Sequence, residues 1–203
     1  MIFLLAAFSL LLTACKEQHS KPSDDEYRRW IAQTDNTKNV AALENYFAER
    51  DVAHILPIAE LLRSDVRWKK CGADPFSVPP RKYWPNMVAT LKLVQREIIP
   101  ILGPVEAVSV FREPSINTCI KGASKSFHLR FFAIDMQPVG KMDRPVLIQK
   151  LCTLHRSKGK SAQMGLGIYR GTRFHIDTAG YRNWGKDYSS KSSPCRSVVA
   201  PQH

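Results

Sequence analysis

Two stretches of the sequence indicate the fold and the function: SFHLRFFAID at residues 126–135 and RFHIDTAGYRNWG at residues 173–185. His128 and Asp135 in the first stretch and His175 in the second are candidate ligands of one metal ion. Imidazole and carboxylate groups suit zinc, and three protein ligands leave a fourth position open, as in catalytic zinc sites. The seven residues from His128 to Asp135 suit two short strands around a tight bend, with His175 on a neighbouring strand.

Around these stretches, helical patterns come first in the chain and strand patterns follow. Apolar residues recur at helical spacing over 40–47, 58–62, 86–99 and 145–158, and Pro100 and Gly103-Pro104 are expected to end the third helix. Residues 105–111, 126–136, 165–169 and 173–177 have strand character. This order predicts an α+β fold with a mostly antiparallel sheet and flanking helices.

The same patterns divide the chain into parts. Residues 38–185 are predicted to form one domain, with 38–67 as its N-terminal helical part. Residues 15–37 are polar and lack apolar periodicity, which predicts a flexible tether. Residues 186–203 form a basic tail.

The first fourteen residues, MIFLLAAFSLLLTA, are apolar and uncharged. They are shorter than the roughly 20 residues that span a bilayer, and they predict a secretory signal peptide. The junction Leu12-Thr13-Ala14-Cys15 resembles the bacterial lipobox, which predicts lipidation of Cys15 and a lipid anchor on the periplasmic side of the envelope. Lys16 favours the outer membrane. The alternative is a secreted protein in which Cys15 has no special role.

The cysteines and the charge narrow the compartment and the partners. Cys71, Cys119, Cys152 and Cys195 predict two disulfides; three pairings are possible, and we favour Cys71–Cys119 and Cys152–Cys195, the second pinning the tail to the domain. The net charge of +12 favours attraction to an anionic envelope in an exported protein. Because no regular basic–aromatic pattern marks a single-strand platform, nucleic acid is not an expected partner.

Three motifs in order resemble a known family. Ser126 and His128 are followed by Ala133 and Asp135. Later come Gly165, Gly167 and Tyr169, then His175, Asp177, Gly180 and Trp184; upstream stand Ser109, Arg112, Asn117, Gly122 and Ala123. This set resembles the zinc D-Ala-D-Ala carboxypeptidase and murein endopeptidase family, in its extensin-like or envelope murein-peptidase branch, whose fold is shared with the Hedgehog signalling domain. The resemblance covers roughly 68–185 and implies a zinc peptidase acting on peptidoglycan stem peptides.

The resemblance and the local chemistry suggest roles for the other residues. Arg112 matches the arginine thought to stabilise the carbonyl oxygen as it gains charge. One branch of the family has a glutamate base three residues before the last histidine ligand, where this chain has Thr172. Asp177 shares a strand face with His175, so it is the candidate base or, equally, a group that orients a ligand. His155 is a more distant candidate base, and Ser126, Tyr169 and Trp184 are candidate substrate-binding residues.

One departure concerns Phe131, where the common family motif has glycine. Glycine permits a positive φ or a close backbone approach, so Phe131 predicts a different bend or a narrowed cleft. Together with the missing glutamate it supports an alternative function, a metal-bearing envelope binding module without turnover. The choice between carboxypeptidase and cross-link endopeptidase stays open in the sequence.

Overall fold

The computed structural model describes residues 21–33 and 35–198. The predicted signal peptide 1–14 and the lipidation site Cys15 lie outside the described residues. Among those described, no helix is both long and apolar enough to cross a bilayer.

The chain is already folded within the segment predicted to be a tether. Helix α1, Asp24–Ile31, begins at a capping box in which Ser23 and Glu26 bond each other's backbone N–H groups. Trp30 is buried on Phe76, with the ring centroids 5.6 Å apart. The tether prediction is therefore wrong for this part. The helix has only eight residues and no long apolar stripe, so local periodicity does not reveal it. Contacts of Tyr27 and Trp30 with Phe76 hold it on the domain.

Helices make up most of the rest of the N-terminal half. Helix α2 spans Asn36–Ala48 and α3 spans Ile58–Leu61. A longer helical rod begins with a 3₁₀ turn at Arg81–Tyr83, and continues as α4 at Trp84–Leu93, a π turn at Val94–Ile98 and α5 at Ile99–Leu102. Pro100 does not end this rod as predicted. The preceding π turn widens the helix and so relieves the clash of a proline ring with the earlier carbonyl.

Five strands form one sheet in the order β1-β2-β4-β3-β5. The strands are β1 at Val105–Ser109, β2 at Ala133–Pro138, β3 at Gly165–Ile168, β4 at Phe174–Asp177 and β5 at Arg182–Trp184. All neighbours are antiparallel except β3 and β5. Helix α6, Pro114–Cys119, follows β1, and α7, Arg144–Lys158, joins β2 to β3. The α+β prediction, with a mostly antiparallel sheet and flanking helices, is confirmed.

The two faces of the sheet differ in chemistry. Ile134, Met136, Phe174, Ile176 and Leu166 share one face through the strand register, and all five are buried in the main hydrophobic core. The opposite face carries Asp135, His175 and Asp177, which are also buried. A period of two along each strand thus separates the apolar layer from a polar layer that ordinary core packing does not explain.

Both favoured disulfides are present. Cys71 is joined to Cys119, and Cys152 on α7 is joined to Cys195. The second bridge ties the tail to the domain as predicted: a 3₁₀ turn at Ser190–Ser192 comes before it, and Cys195 lies within a second one at Pro194–Arg196. Two disulfides fit an extracytoplasmic protein.

Candidate metal centre and its cavity

A single row of residues crosses the sheet and positions most of the site. Asp135 on β2 pairs with Ser109 on β1 and with His175 on β4; His175 pairs in turn with Gly167 on β3, which pairs with Trp184 on β5. Directly paired residues point to the same face, with Cβ atoms about 4.5–5.5 Å apart. The sheet register therefore places Asp135 beside His175, as the sequence predicted.

The absence of a side chain at Gly167 makes room for the Trp184 ring. A Cβ atom built there would lie 2.6 Å from the Trp184 ring, closer than non-bonded carbon atoms approach. Only glycine leaves space for the indole, which stands edge-on to the His175 ring at a centroid distance of 4.9 Å. The G-x-G motif thus allows an aromatic wall beside the histidine.

His128 reaches the site differently from the prediction. It lies in a 3₁₀ turn at Phe127–Arg130, and not on the first of two strands. The turn ends at Phe131, whose φ of 55° and ψ of 35° are left-handed and reverse the chain into β2. The backbone N–H of Arg112 donates to the carbonyl of His128 at 3.2 Å and fixes the turn beside the end of β1.

Phe131 also corrects the expectation of a different bend or narrowed cleft. The residue adopts the positive φ that glycine would permit, at a cost of about 1–2 kcal/mol. Its ring is fully buried against Phe47 and Phe111 and lines no part of the cavity beside His128. Core packing holds the strained conformation, and the ring does not narrow the cavity.

Three ligand atoms meet in a small triangle. His128 Nε2 lies 3.1 Å from His175 Nδ1 and 3.3 Å from Asp135 Oδ1, and the last two atoms are 2.9 Å apart. Tetrahedral zinc with bonds of about 2.0–2.1 Å places its ligand atoms roughly 3.3 Å apart. All three residues are buried. This buried His128–Asp135–His175 group could hold a metal ion.

Hydrogen bonds fix which nitrogen each imidazole presents to the triangle. His128 Nδ1 lies 2.6 Å from the carbonyl of Val110, which can only accept, so this nitrogen carries the proton and Nε2 keeps its lone pair. His175 Nε2 donates to Asp177 Oδ2 at 2.8 Å, which leaves Nδ1 facing the triangle. Two ring nitrogens and a carboxylate oxygen are thus aimed at one point where they could hold a cation, with each ring oriented from behind.

The titration behaviour of these groups agrees with that arrangement. Burial, followed by the charge of Arg112, lowers the pKa of His128 to about 4. Burial acts to lower the pKa of His175 as well, but hydrogen bonds to Asp135 and Asp177 outweigh it and raise that pKa. Burial would raise the pKa of Asp135, yet the His128 and Arg112 charges hold it well below its usual range. At neutral pH the triangle thus contains a carboxylate and at least one neutral imidazole.

Arg112 is built into the site through two carboxylates. Its Nη2 donates to Asp135 Oδ2 at 2.6 Å, the oxygen that does not belong to the triangle, and its Nε lies 3.2 Å from Asp65 Oδ2. Ser109 Oγ accepts from the same Nε at 2.9 Å. Asp65 is in turn paired with Arg67 at 2.8 Å. Sequence reasoning missed Asp65, because its partner stands 47 residues away and no local pattern links them.

The geometry corrects one of the two roles considered for Asp177. Its Oδ2 accepts from His175 and, at 2.5 Å, from Arg182, and its Oδ1 accepts from the backbone of Ala179 at 2.8 Å. The side chain is fully buried behind His175 and is not part of the cavity lining. Both carboxylate oxygens are therefore already hydrogen-bonded, and they lie on the side of the His175 ring that faces away from the cavity. A general base would have to face the cavity. Asp177 orients His175.

A cavity of about 330 Å³ opens over the triangle. Ser126, Tyr169, Trp184 and Arg112 line it, as the sequence interpretation expected, together with both histidines. His155 lies apart from it, bonded to the carbonyl of Arg182 at 3.1 Å and stacked on Tyr181. The lining also includes residues that sequence reasoning had not singled out: Lys125, Phe127, Arg182, Asn183, Tyr188 and Ser190.

Some of these missed residues had a sequence signal and others had none. Arg182 and Asn183 immediately precede Trp184, and Phe127 and Lys125 flank Ser126, so neighbours of the motifs were available as candidates. Tyr188 and Ser190 stand in the tail, where nothing in the sequence points to a cavity.

A scan of the chain against protein-family models gave no match, and no curated protein shows significant similarity to it.

Proposed function

We propose that this protein is a zinc-dependent peptidase that hydrolyses peptide bonds in peptidoglycan stem peptides. The observation that carries the proposal is the triangle of His128 Nε2, Asp135 Oδ1 and His175 Nδ1, with edges of 2.9–3.3 Å and with both imidazole tautomers fixed from behind. A buried group of this kind that opens to a cavity fits a zinc ion with a free position. The resemblance of the three motifs to the zinc carboxypeptidase and endopeptidase family agrees with this reading.

The residues of the site have different roles in the proposed reaction. Zinc supplies a Lewis acid that polarises a carbonyl group and lowers the pKa of water. Asp177 and the Val110 carbonyl keep the two histidine lone pairs on the metal side. Arg112 holds Asp135 and also lines the cavity, and its proposed role is to stabilise negative charge that develops on a substrate carbonyl.

The charge and shape of the cavity favour a substrate of the stem-peptide class. Arg112, Lys125 and Arg182 give the lining three cationic groups, and no carboxylate is among the described lining residues. Aromatic rings from Tyr169 and Trp184 supply apolar surface between these charges. The two arginines are already ion-paired, with Asp135 and Asp177 respectively, so Lys125 is the cation of the described lining that is left to bind a free carboxylate of a short peptide.

One observation favours a second candidate function, a metal-bearing binding module without turnover. Among the described lining residues, the histidines are both ligands and no other imidazole or carboxylate is present to serve as a base. Burial raises the pKa of Tyr169, so this phenol stays protonated and can donate a hydrogen bond but cannot accept a proton. A hydrolytic cycle would then need its proton acceptor from the substrate or from a group outside this lining.

Metal analysis and a cleavage assay separate the two functions. The purified full chain is expected to hold one zinc ion, and muropeptides incubated with it are expected to lose a terminal D-Ala or a cross-link in a chelator-sensitive manner. Binding of muropeptides without cleavage would favour the module. A chain that takes up no divalent metal would refute both.

We also propose that the protein acts at the periplasmic side of the envelope, anchored by a lipid on Cys15. The disulfides agree with an oxidising compartment. Globomycin-sensitive processing and mass spectrometry of the mature N-terminus test the anchor; an unmodified Cys15 in the membrane fraction contradicts it. Peptidoglycan remains the proposed partner, and nucleic acid is not proposed.

A further inference from the structure

The beginning of the tail forms part of the cavity wall. We call Lys186–Ser192 the tail segment. It follows β5 directly, and two of its residues, Tyr188 and Ser190, line the cavity above the histidines. The segment thus belongs to the site as well as to the tail.

Hydrogen bonds hold the tail segment against the end of β5. The N–H of Tyr188 donates to the carbonyl of Gly185 at 3.1 Å, and the N–H of Gly185 donates to the carbonyl of Ser189 at 3.2 Å. A Cβ atom on Gly185 would overlap the backbone carbonyl of Ser192. The tail segment therefore folds back onto Gly185, the residue that follows β5.

A covalent bond secures the far end. Cys195, three residues after the segment, is bonded to Cys152 on α7. Arg156, one helical turn after Cys152, donates to the carbonyl of Val198 at 2.5 Å. With β5 on one side and α7 on the other, the tail segment is fixed at both ends.

Tyr188 stands out within this segment. Its φ is 62°, a left-handed value that costs a non-glycine residue about 1–2 kcal/mol. Its side chain is 57% exposed, so the ring gains little from folding in return. The ring centroid lies 5.9 Å from that of Tyr169, whose own side chain is buried next to Trp184. The tyrosine pair makes an aromatic surface that runs from the buried floor of the cavity to its mouth.

We propose that Tyr188 is a substrate-binding residue whose ring contacts the stem peptide at the mouth of the cavity, and that the Cys152–Cys195 disulfide keeps it there. This inference rests on the proposed function for its substrate class. Backbone strain of this kind clusters at active sites and ligand-binding segments, and for this reason we assign the exposed ring over the cavity to ligand contact. Because Tyr188 is not among the metal-site groups, its contact stabilises bound substrate and transition state alike.

The test compares Tyr188→Ala and Tyr188→Phe with the wild-type full chain loaded with zinc, using soluble muropeptides from a peptidoglycan digest. For Tyr188→Ala we expect KM and the muropeptide Kd to rise about fivefold to tenfold, the value of one aromatic contact, with kcat changed less than about twofold. Tyr188→Phe keeps the ring and should stay within about twofold of the wild type in all three. Tyr181→Ala removes the other strongly exposed tyrosine of the described chain, which does not line the cavity, and serves as the matched control.

The double variant Cys152→Ser, Cys195→Ser should raise Kd in the same direction while zinc stoichiometry stays at the wild-type value, because the three ligands lie on β2, β4 and the 3₁₀ turn. Equal Kd values for Tyr188→Ala and the wild type would overturn the inference. A wild type that binds muropeptides without cleaving them refutes the peptidase and still tests Tyr188 through Kd. A wild type that holds zinc but does not bind muropeptides overturns the inference itself.

Discussion

Replacing Asp177 with asparagine tests how the metal centre is held together. The carboxylate accepts from His175 Nε2 through Oδ2 and from the Ala179 N–H through Oδ1. Asparagine has the same shape but one acceptor and one donor group. If its oxygen stays on Ala179, its NH₂ group faces His175 Nε2 and favours the tautomer with the proton on Nδ1, the nitrogen that belongs to the triangle. If the side-chain amide of the variant is flipped instead, its NH₂ group faces the backbone N–H of Ala179, and two donors meet without an acceptor.

Either outcome weakens zinc binding. Loss of a group that orients a metal-bound histidine costs about 10–100-fold in metal affinity, which corresponds to about 1.4–2.7 kcal/mol. We therefore expect the zinc Kd of Asp177→Asn to rise by that factor at pH 7.5, measured by competition with a chromophoric chelator. Asp143→Asn, at an exposed carboxylate outside the cavity lining, should leave the zinc Kd unchanged.

The result also separates the two roles considered for Asp177. A positioning residue affects zinc affinity and, through it, any turnover. A base facing the substrate would leave zinc affinity unchanged and lower only the cleavage rate. An unchanged zinc Kd in a folded Asp177→Asn variant would therefore refute the orientation argument.

Three further outcomes follow from the same contacts. Alanine at His128, Asp135 or His175 should abolish stoichiometric zinc in metal analysis after desalting, and retained metal in all three variants would rule out the triangle as the site. Phe131→Gly should lower the free energy of unfolding by about 1–4 kcal/mol in urea denaturation, since losing a buried ring costs about 3–5 kcal/mol and relief of the left-handed backbone returns about 1–2 kcal/mol; a more stable variant would contradict this. Asp65→Asn removes one partner of a buried ion pair and should cost about 3–5 kcal/mol at pH 7. Burial acts to raise the pKa of Asp65, but Arg112 and Arg67 lower it overall. This stabilisation is therefore present above the unfolded pKa of about 3.9 and is lost as pH falls through the folded pKa. The unfolding curves of Asp65→Asn and wild type should converge in acid, and a constant gap would count against the ion pair.

The sequence was sufficient for features that depend on residue type and order. Helical and alternating patterns predicted the α+β class, and the resemblance carried by His128, Asp135 and His175 predicted which side chains would meet. The cysteine pairing was one of three possibilities, and the favoured one is present. The fold class and the candidate ligands are encoded within single segments or in motifs, and for that reason they can be read without coordinates, whereas the choice among the three disulfide pairings is not encoded in this way.

The tertiary structure alone decided the features that depend on direction and on distant partners. Asp177 lies on the same strand face as His175, as the period of two requires, yet only the hydrogen bonds show that it faces the nitrogen away from the triangle. Phe131 takes a glycine-like conformation because a distant core holds its ring. Tyr188 reaches the cavity because a disulfide and a backbone contact fold the tail over β5. Residue types set which interactions are available, while sheet register and long-range packing determine which atom of each side chain faces the site.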